Sequence, residues 1–278
     1  MRSSKGNQLA SMDPRPKQLP DSFHEGLEPL FPNPRPDQET LNVLTGNLLT
    51  LSNNPNLVIR RRPVNDGRIE EARAHQTEAM AMYQSLKDTY GVAVARNHLL
   101  EGKTETGEPA IYVVVDTIEG RELKDLKPEE KKELAPVIDA TVSGLLRQLK
   151  DAYVNGTPFP TETTLRQFRW GHPRRLPKDP NRLYLIDFDA LFEKFRRGDS
   201  DQEAPARATI FLSATTVLLY DIITGEAATG GILPTARQTG LDLIATLQTD
   251  EALMKIGETA GFGNALQEMV PFLRGQRQ

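Results

Sequence analysis

Two acids at the end of an apolar run are the residues of this chain best placed to do chemistry. Leu183-Tyr184-Leu185-Ile186 reads as a buried strand, and Asp187-Phe188-Asp189 delivers carboxylates at its end, where a hard cation or a phosphate can reach them. The same pair also suits a sheet-edge turn, with the Asp side chains accepting hydrogen bonds from nearby backbone. A second stretch, Phe168-Arg169-Trp170-Gly171-His172-Pro173-Arg174-Arg175, mixes aromatic and basic residues. It reads as a phosphate or nucleic-acid contact, or as a strand with Phe168 and Trp170 in the core and Arg174 and Arg175 on a turn.

Composition narrows the chemistry. The chain has no Cys, which removes thiolate nucleophiles, disulfides and Cys-type zinc sites. Its histidines, His24, His75, His98 and His172, include no pair spaced to share one helical face, so a His-based metal centre is not expected. A formal net charge of −4 supplies no general drive toward nucleic acid, and a nucleic-acid partner is not expected. No run approaches the roughly 20 apolar residues that cross a bilayer, and the first residues lack a signal-like apolar core. A cytoplasmic protein with no membrane partner is the expectation.

The elements that must position these acids follow from periodicity. Residues 1–39 are rich in proline (Pro14, Pro16, Pro20, Pro29, Pro32, Pro34 and Pro36) and read as a disordered leader. Residues 40–63 read as three short strands separated by turns, and 69–90 as one helix with Gly91 as its stop. Two strands follow at 92–95 and 110–115, joined by a polar hairpin loop over 101–108. A helix opens at Pro128 with an apolar face running to Leu149. From Ala204 onward the pattern is helical, with breaks expected at Gly225, Gly230-Gly231, Pro234 and Gly261.

That order resembles the protein-kinase-like fold, most nearly its aminoglycoside and small-molecule phosphotransferase branch. The resemblance rests on Val113-Val114-Val115-Asp116-Thr117-Ile118-Glu119-Gly120-Arg121-Glu122-Leu123 and on Ile186-Asp187-Phe188-Asp189. It implies an α+β fold in two lobes: a small antiparallel sheet with one helix over 40–120, then a mostly helical lobe over 121–278 interrupted by one strand. It also implies a hinge, Asp116-Thr117-Ile118, whose backbone bonds the adenine of ATP, and Asp187 as a Mg²⁺ ligand. Arg60 stands where the family has a lysine on the phosphates, and Glu78 on the following helix would be its partner. Arg is not a conservative replacement there, because its fork is longer and wider than an ammonium. A solvated basic strand end is the other reading of Arg60-Arg61-Arg62.

The departures are as specific as the matches. No His-Gly-Asp or His-Arg-Asp lies between Gly156 and Asp187, where the family keeps its catalytic base. Glu162 and Gln167 reproduce the spacing of that base and the second metal ligand, each side chain one methylene longer. Such an extension moves a carboxylate by about 1.5 Å, and a misplacement of about 1 Å can cost about a hundredfold in rate. A Gly-rich lid is absent between Leu41 and Leu51. The resemblance therefore implies either a divergent ATP-dependent phosphotransferase, acting on a small-molecule or protein acceptor, or a catalytically inactive pseudokinase that binds or scaffolds.

Overall fold

The computed structural model describes residues 17–18, 26–30, 40–45, 47–64, 68–104, 106–162, 164–186, 192–198 and 200–276. The first lobe is one antiparallel sheet. β1 (Lys17–Gln18), β2 (Thr40–Thr45), β3 (Leu48–Leu51) and β4 (Asn54–Pro63) are followed by α1 (Ile69–Asp88), β5 (Asn97–Lys103) and β6 (Pro109–Asp116). The strand order is β1-β2-β3-β4-β6-β5. α1 carries Glu70 and Glu71 in its first turn and Lys87 in its last, charges that suit the helix dipole.

Strand alternation gives this sheet two cores. Ile59, Leu49, Leu51, Tyr112 and Val114 gather on one face, while Val113 and Val115 join α1 and the helical lobe on the other, as a side-chain period of two requires. β6 is buried along nearly its whole length because both of its faces are covered. The outer face is covered by the leader: Leu27 and Leu30 are buried against it, and Asn54 Nδ2 donates to the Leu30 carbonyl at 3.3 Å. The expectation of a disordered leader over 1–39 is corrected at residues 26–30, since an apolar sheet face needs an apolar cover.

The second lobe begins at β7 (Ile118–Glu122). It continues with α2 (Pro128–Glu133), α3 (Ala135–Asn155), β8 (Pro158–Pro160), β9 (Phe168–Pro173), β10 (Arg182–Leu185) and β11 (Phe192–Lys194). α4 (Ala204–Thr229), α5 (Pro234–Leu247), α6 (Glu251–Thr259) and α7 (Phe262–Leu273) complete it. The two-lobed α+β architecture is as expected. α4 is long and apolar enough to cross a membrane by composition, but 61% of that window is buried within the protein, and it forms the spine of the helical lobe. Phe211 of α4 meets Phe159 edge-on at 5.4 Å and lies 5.9 Å from Tyr153 and 5.3 Å from Phe195. Helix starts are held by buried acids: both Asp139 oxygens accept from the backbone N–H groups of Thr235 and Ala236 at the start of α5.

Several local expectations are corrected. Residues 92–95 are not a sheet strand, because their partner is the second lobe: Leu185 N donates to Ala93 O, Ala95 N donates to Leu185 O, and Val94 makes one parallel bridge to Leu185. Glu101, Gly102 and Lys103 belong to β5, the loop being tightened to 104–108 by the Thr104 hydroxyl, which accepts from the N–H groups of Thr106 and Glu108. The expected long helix from Pro128 is two, broken at Leu134, where Pro136 enters the first turn of α3. Gly225 does not break α4; a Cβ there would meet Leu233 and Ile138, so its lack of a side chain allows close packing. The lobe also holds two small sheets, β10-β9-β7 and β11-β8, in place of one strand.

Within the first of these sheets, Gly120 of β7 lies directly opposite Gly171 of β9, and a Cβ on either would run into the other strand's backbone. Gly120→Ala is therefore expected to destabilise by about 1–3 kcal/mol, the usual cost of overpacking. A thermal melt should show a drop of several degrees, and an unchanged melt would remove this constraint.

Candidate functional site

The β4–β6 register decides what faces the space between the lobes. Arg60 pairs with Val113 and Leu48, and Val58 with Val115, so Arg60, Val58, Leu48 and Val115 point inward together. They line a cavity of about 490 Å³ whose wall also includes Ala95, Ile118 and Ile186. Val58, Ala95 and Ile186 give this cavity an apolar part. Arg60, Arg166 and Arg169 give the same cavity three guanidiniums.

Two side-chain polar atoms in its wall, Thr117 Oγ1 and Arg169 Nε, are buried without a hydrogen-bond partner. Such atoms cost of order 1–3 kcal/mol each when nothing satisfies them.

The floor is held in place by a cap and a buried acid. Thr164 Oγ1 accepts from Arg166 N at 3.2 Å, and Gln167 Oε1 accepts from Thr164 N at 3.1 Å, the reciprocal pattern of a capping box. Below this turn, Asp221 of α4 accepts from Leu165 N at 2.8 Å. Burial pushes the Asp221 carboxyl up to about 7, against the pull of that hydrogen bond and of Arg166. Ile186 N donates to the Gln167 carbonyl at 3.1 Å, joining the turn to the end of β10.

Of the residues expected from sequence, Arg60, Asp116, Thr117, Ile118 and Gln167 all line this one cavity. Their expected roles change. Thr117 N donates to Asn56 O and Thr117 O accepts from Arg174 N, while Ile118 O accepts from Arg169 Nη1 at 3.3 Å. Both backbone groups of Thr117 are thus taken by neighbouring strands and loops, which corrects its expected bonding to an adenine. Asp116 is buried and ion-paired with Arg175 at 2.6 Å. Burial still holds its carboxyl above the usual range, outweighing the pull of Arg175 and Arg96.

Glu78 is not the partner of Arg60. It pairs with Lys194 of β11, and one turn earlier His75 stacks on Phe192 with ring centroids 4.6 Å apart, so this face of α1 docks β11. Glu162 is exposed and lines a different groove, with Phe192, Thr209, Ile210 and Phe262. It is therefore not brought to Gln167 as a base beside a metal ligand. Gln167 is corrected too, because its amide oxygen caps the 165–167 turn. Asp187 and Asp189 lie outside the described residues.

Arg166, Arg169 and Asp221 are the site residues that sequence reasoning missed. Arg169 had a signal in the aromatic and basic stretch, where Phe168 and Trp170 are indeed strand residues beside β10. Asp221 had a weaker one, an acid amid the apolar residues of α4. Among the described residues, no group of three His, Cys, Asp or Glu is arranged to hold a metal. Asp116 is the one carboxylate among the described lining residues, and Arg175 holds it. Three arginines and one carboxylate already held by Arg175 give the described lining a surplus of positive charge, which suits an anionic ligand.

No protein-family model matches the chain, and no curated protein matches it. Among solved structures it is similar to the GDP complex of an aminoglycoside 2′-phosphotransferase IIIa variant, with a TM-score of 0.38 and 12% identity, over 90% of this chain and 94% of that one. At that distance the likeness carries neither activity nor ligand over to this chain.

The state of Asp221 gives a pH test. Its folded value of about 7 lies above its ordinary 3.8, so the unfolded chain ionises first as pH rises. The stability contribution of the neutral carboxyl is complete below the ordinary value and is lost as pH rises through about 7. Asp221→Asn keeps an acceptor for Leu165 N–H and removes the titration. Denaturant melts at several pH values are expected to show a shallower fall in stability across that window in the variant than in the wild type.

Proposed function

We propose that the protein is a divergent kinase-like phosphotransferase that binds ATP, or a related nucleoside triphosphate, between its lobes. The observation that carries this reading is the division of one cavity into an apolar part and a cluster of guanidiniums, Arg60, Arg166 and Arg169. A flat base is favoured in the first and a polyphosphate by the second, since guanidinium forks match phosphate oxygens.

Phosphoryl transfer asks little covalent work of a protein; positioning and charge do most of it. In this reading Arg60 reaches the phosphates from the sheet and Arg166 and Arg169 reach them from the second lobe. Val58, Ala95 and Ile186 exclude water from the base. Asp187, next in the chain after Ile186, is kept as the Mg²⁺ ligand of the proposal on sequence grounds alone. Glu162 has no part in it. The acceptor is a small molecule or a protein.

The alternative reading is a nucleotide-binding pseudokinase without chemistry. Among the described lining residues the sole carboxylate, Asp116, is tied to Arg175 and is in no position to take a proton from an acceptor.

Thermal-shift titration with ATP and Mg²⁺ tests the binding. A ligand at a hundredfold excess over its Kd adds about 2.7 kcal/mol of apparent stability, several degrees for a chain of this size. Arg60→Ala is expected to weaken that shift and AMP to produce less of it than ATP. No shift with any nucleotide would sink both readings. A clear shift with ATP consumption at background, across a panel of acceptors, would select the pseudokinase.

A further inference from the structure

A second cavity of about 500 Å³ lies on the other side of the 165–167 turn. Leu123, Leu165 and Ala228 supply apolar wall, and Lys124, Lys131 and Arg166 supply positive charge. Glu122 is its single acid, and that carboxylate is already engaged, 2.6 Å from Lys124 Nζ and 3.8 Å from Arg169 Nη2. Lys131 Nζ donates only to the Lys124 carbonyl, at 3.2 Å. Neither Lys131 nor Arg166 forms a salt bridge among the described residues, although Arg166 pulls on the buried Asp221 carboxyl. Two cations, exposed Arg166 and half-buried Lys131, thus border a partly apolar hollow.

We propose that this cavity binds a small organic anion. Its carboxylate or phosphate headgroup lies between Lys131 and Arg166, and its hydrocarbon or ring body lies on Leu123, Leu165 and Ala228. Arg166 lines both cavities, so one side chain would serve both ligands. That last relation rests on the nucleotide reading; the anion site itself does not.

Calorimetric titration of the full chain with octanoate and, separately, with phenyl phosphate tests the site, the two arms distinguishing a carboxylate from a phosphate headgroup. One saturable site is expected for at least one probe, and none for octylamine, which has the body of octanoate and the opposite charge. Lys131→Glu is expected to weaken the probe about tenfold or more, the size of a lost charge-assisted hydrogen bond, while leaving ATP binding unchanged. Thr224→Trp, at an exposed position of α4 on the cavity wall, is expected to block the probe by filling the space. Arg166→Ala is expected to weaken probe and ATP together. Absence of saturable binding by both anions overturns the proposal, as does binding that Lys131→Glu and Thr224→Trp leave unchanged. Probe binding with no ATP binding in the wild type would overturn the nucleotide reading and leave this site standing.

Discussion

The register between β4 and β6 is the constraint on which the rest of this structure depends. With Ile59 opposite Val114 and Arg60 opposite Val113, the apolar side chain enters the outer core and the guanidinium enters the space between the lobes. A slip of one residue would exchange them, burying Arg60 among Leu49, Leu51 and Tyr112 and emptying the cavity of its sheet-borne charge. Burial of β6 on both faces makes that slip costly. The leader contributes here, because Leu27 and Leu30 complete the outer core that makes one register better than its alternative.

The second lobe supplies the opposite wall through Arg166, Gln167, Arg169 and Ile186, and α4 supports the turn that carries the first two. This helix is apolar around most of its circumference, so it is buried by the helices about it. Asp221 is its buried carboxylate, and the contact with Leu165 N–H converts a core helix into a support for the 165–167 turn. The turn presents Arg166 outward and leaves Gln167 closing the loop on itself. A buried carboxyl near pH 7 is an expensive way to hold a loop, which ties the position of Arg166 to the protonation state of a residue one layer below it.

The charge of the cleft departs from the pattern that motif spacing implies. An acid on α1 would ordinarily answer the cation on β4, yet Glu78 faces Lys194 because His75 and Phe192 have already set β11 against this side of α1. The guanidiniums of Arg166 and Arg169 bring further positive charge to the cavity from the other lobe. Positive charge here is distributed over two lobes, and any motion between them would change the spacing of the three cations.

Much of this was legible in the sequence. Alternation announced the strands over 40–63 and 110–115, the 3.6-residue period announced α1, and Gly-Gly-x-x-Pro announced the break between α4 and α5, because these signals depend on neighbours in the chain. The family resemblance, rather than periodicity, made Arg60, Asp116, Thr117, Ile118 and Gln167 legible as candidates, and they line one cavity. Their partners were not legible. That Thr117 is bonded by Asn56 and Arg174, that Glu78 pairs with Lys194, and that Glu162 turns to another groove are choices among residues far apart in the chain. Gly225 and residues 92–95 show the same limit. A glycine reads as a helix breaker until packing against Leu233 and Ile138 requires it, and an apolar run reads as a sheet strand until its hydrogen bonds go to Leu185. Local periodicity determined which segments would be helix or strand; only tertiary packing decided which polar groups would face each other, because burial forces each to find whatever donor or acceptor the fold brings near.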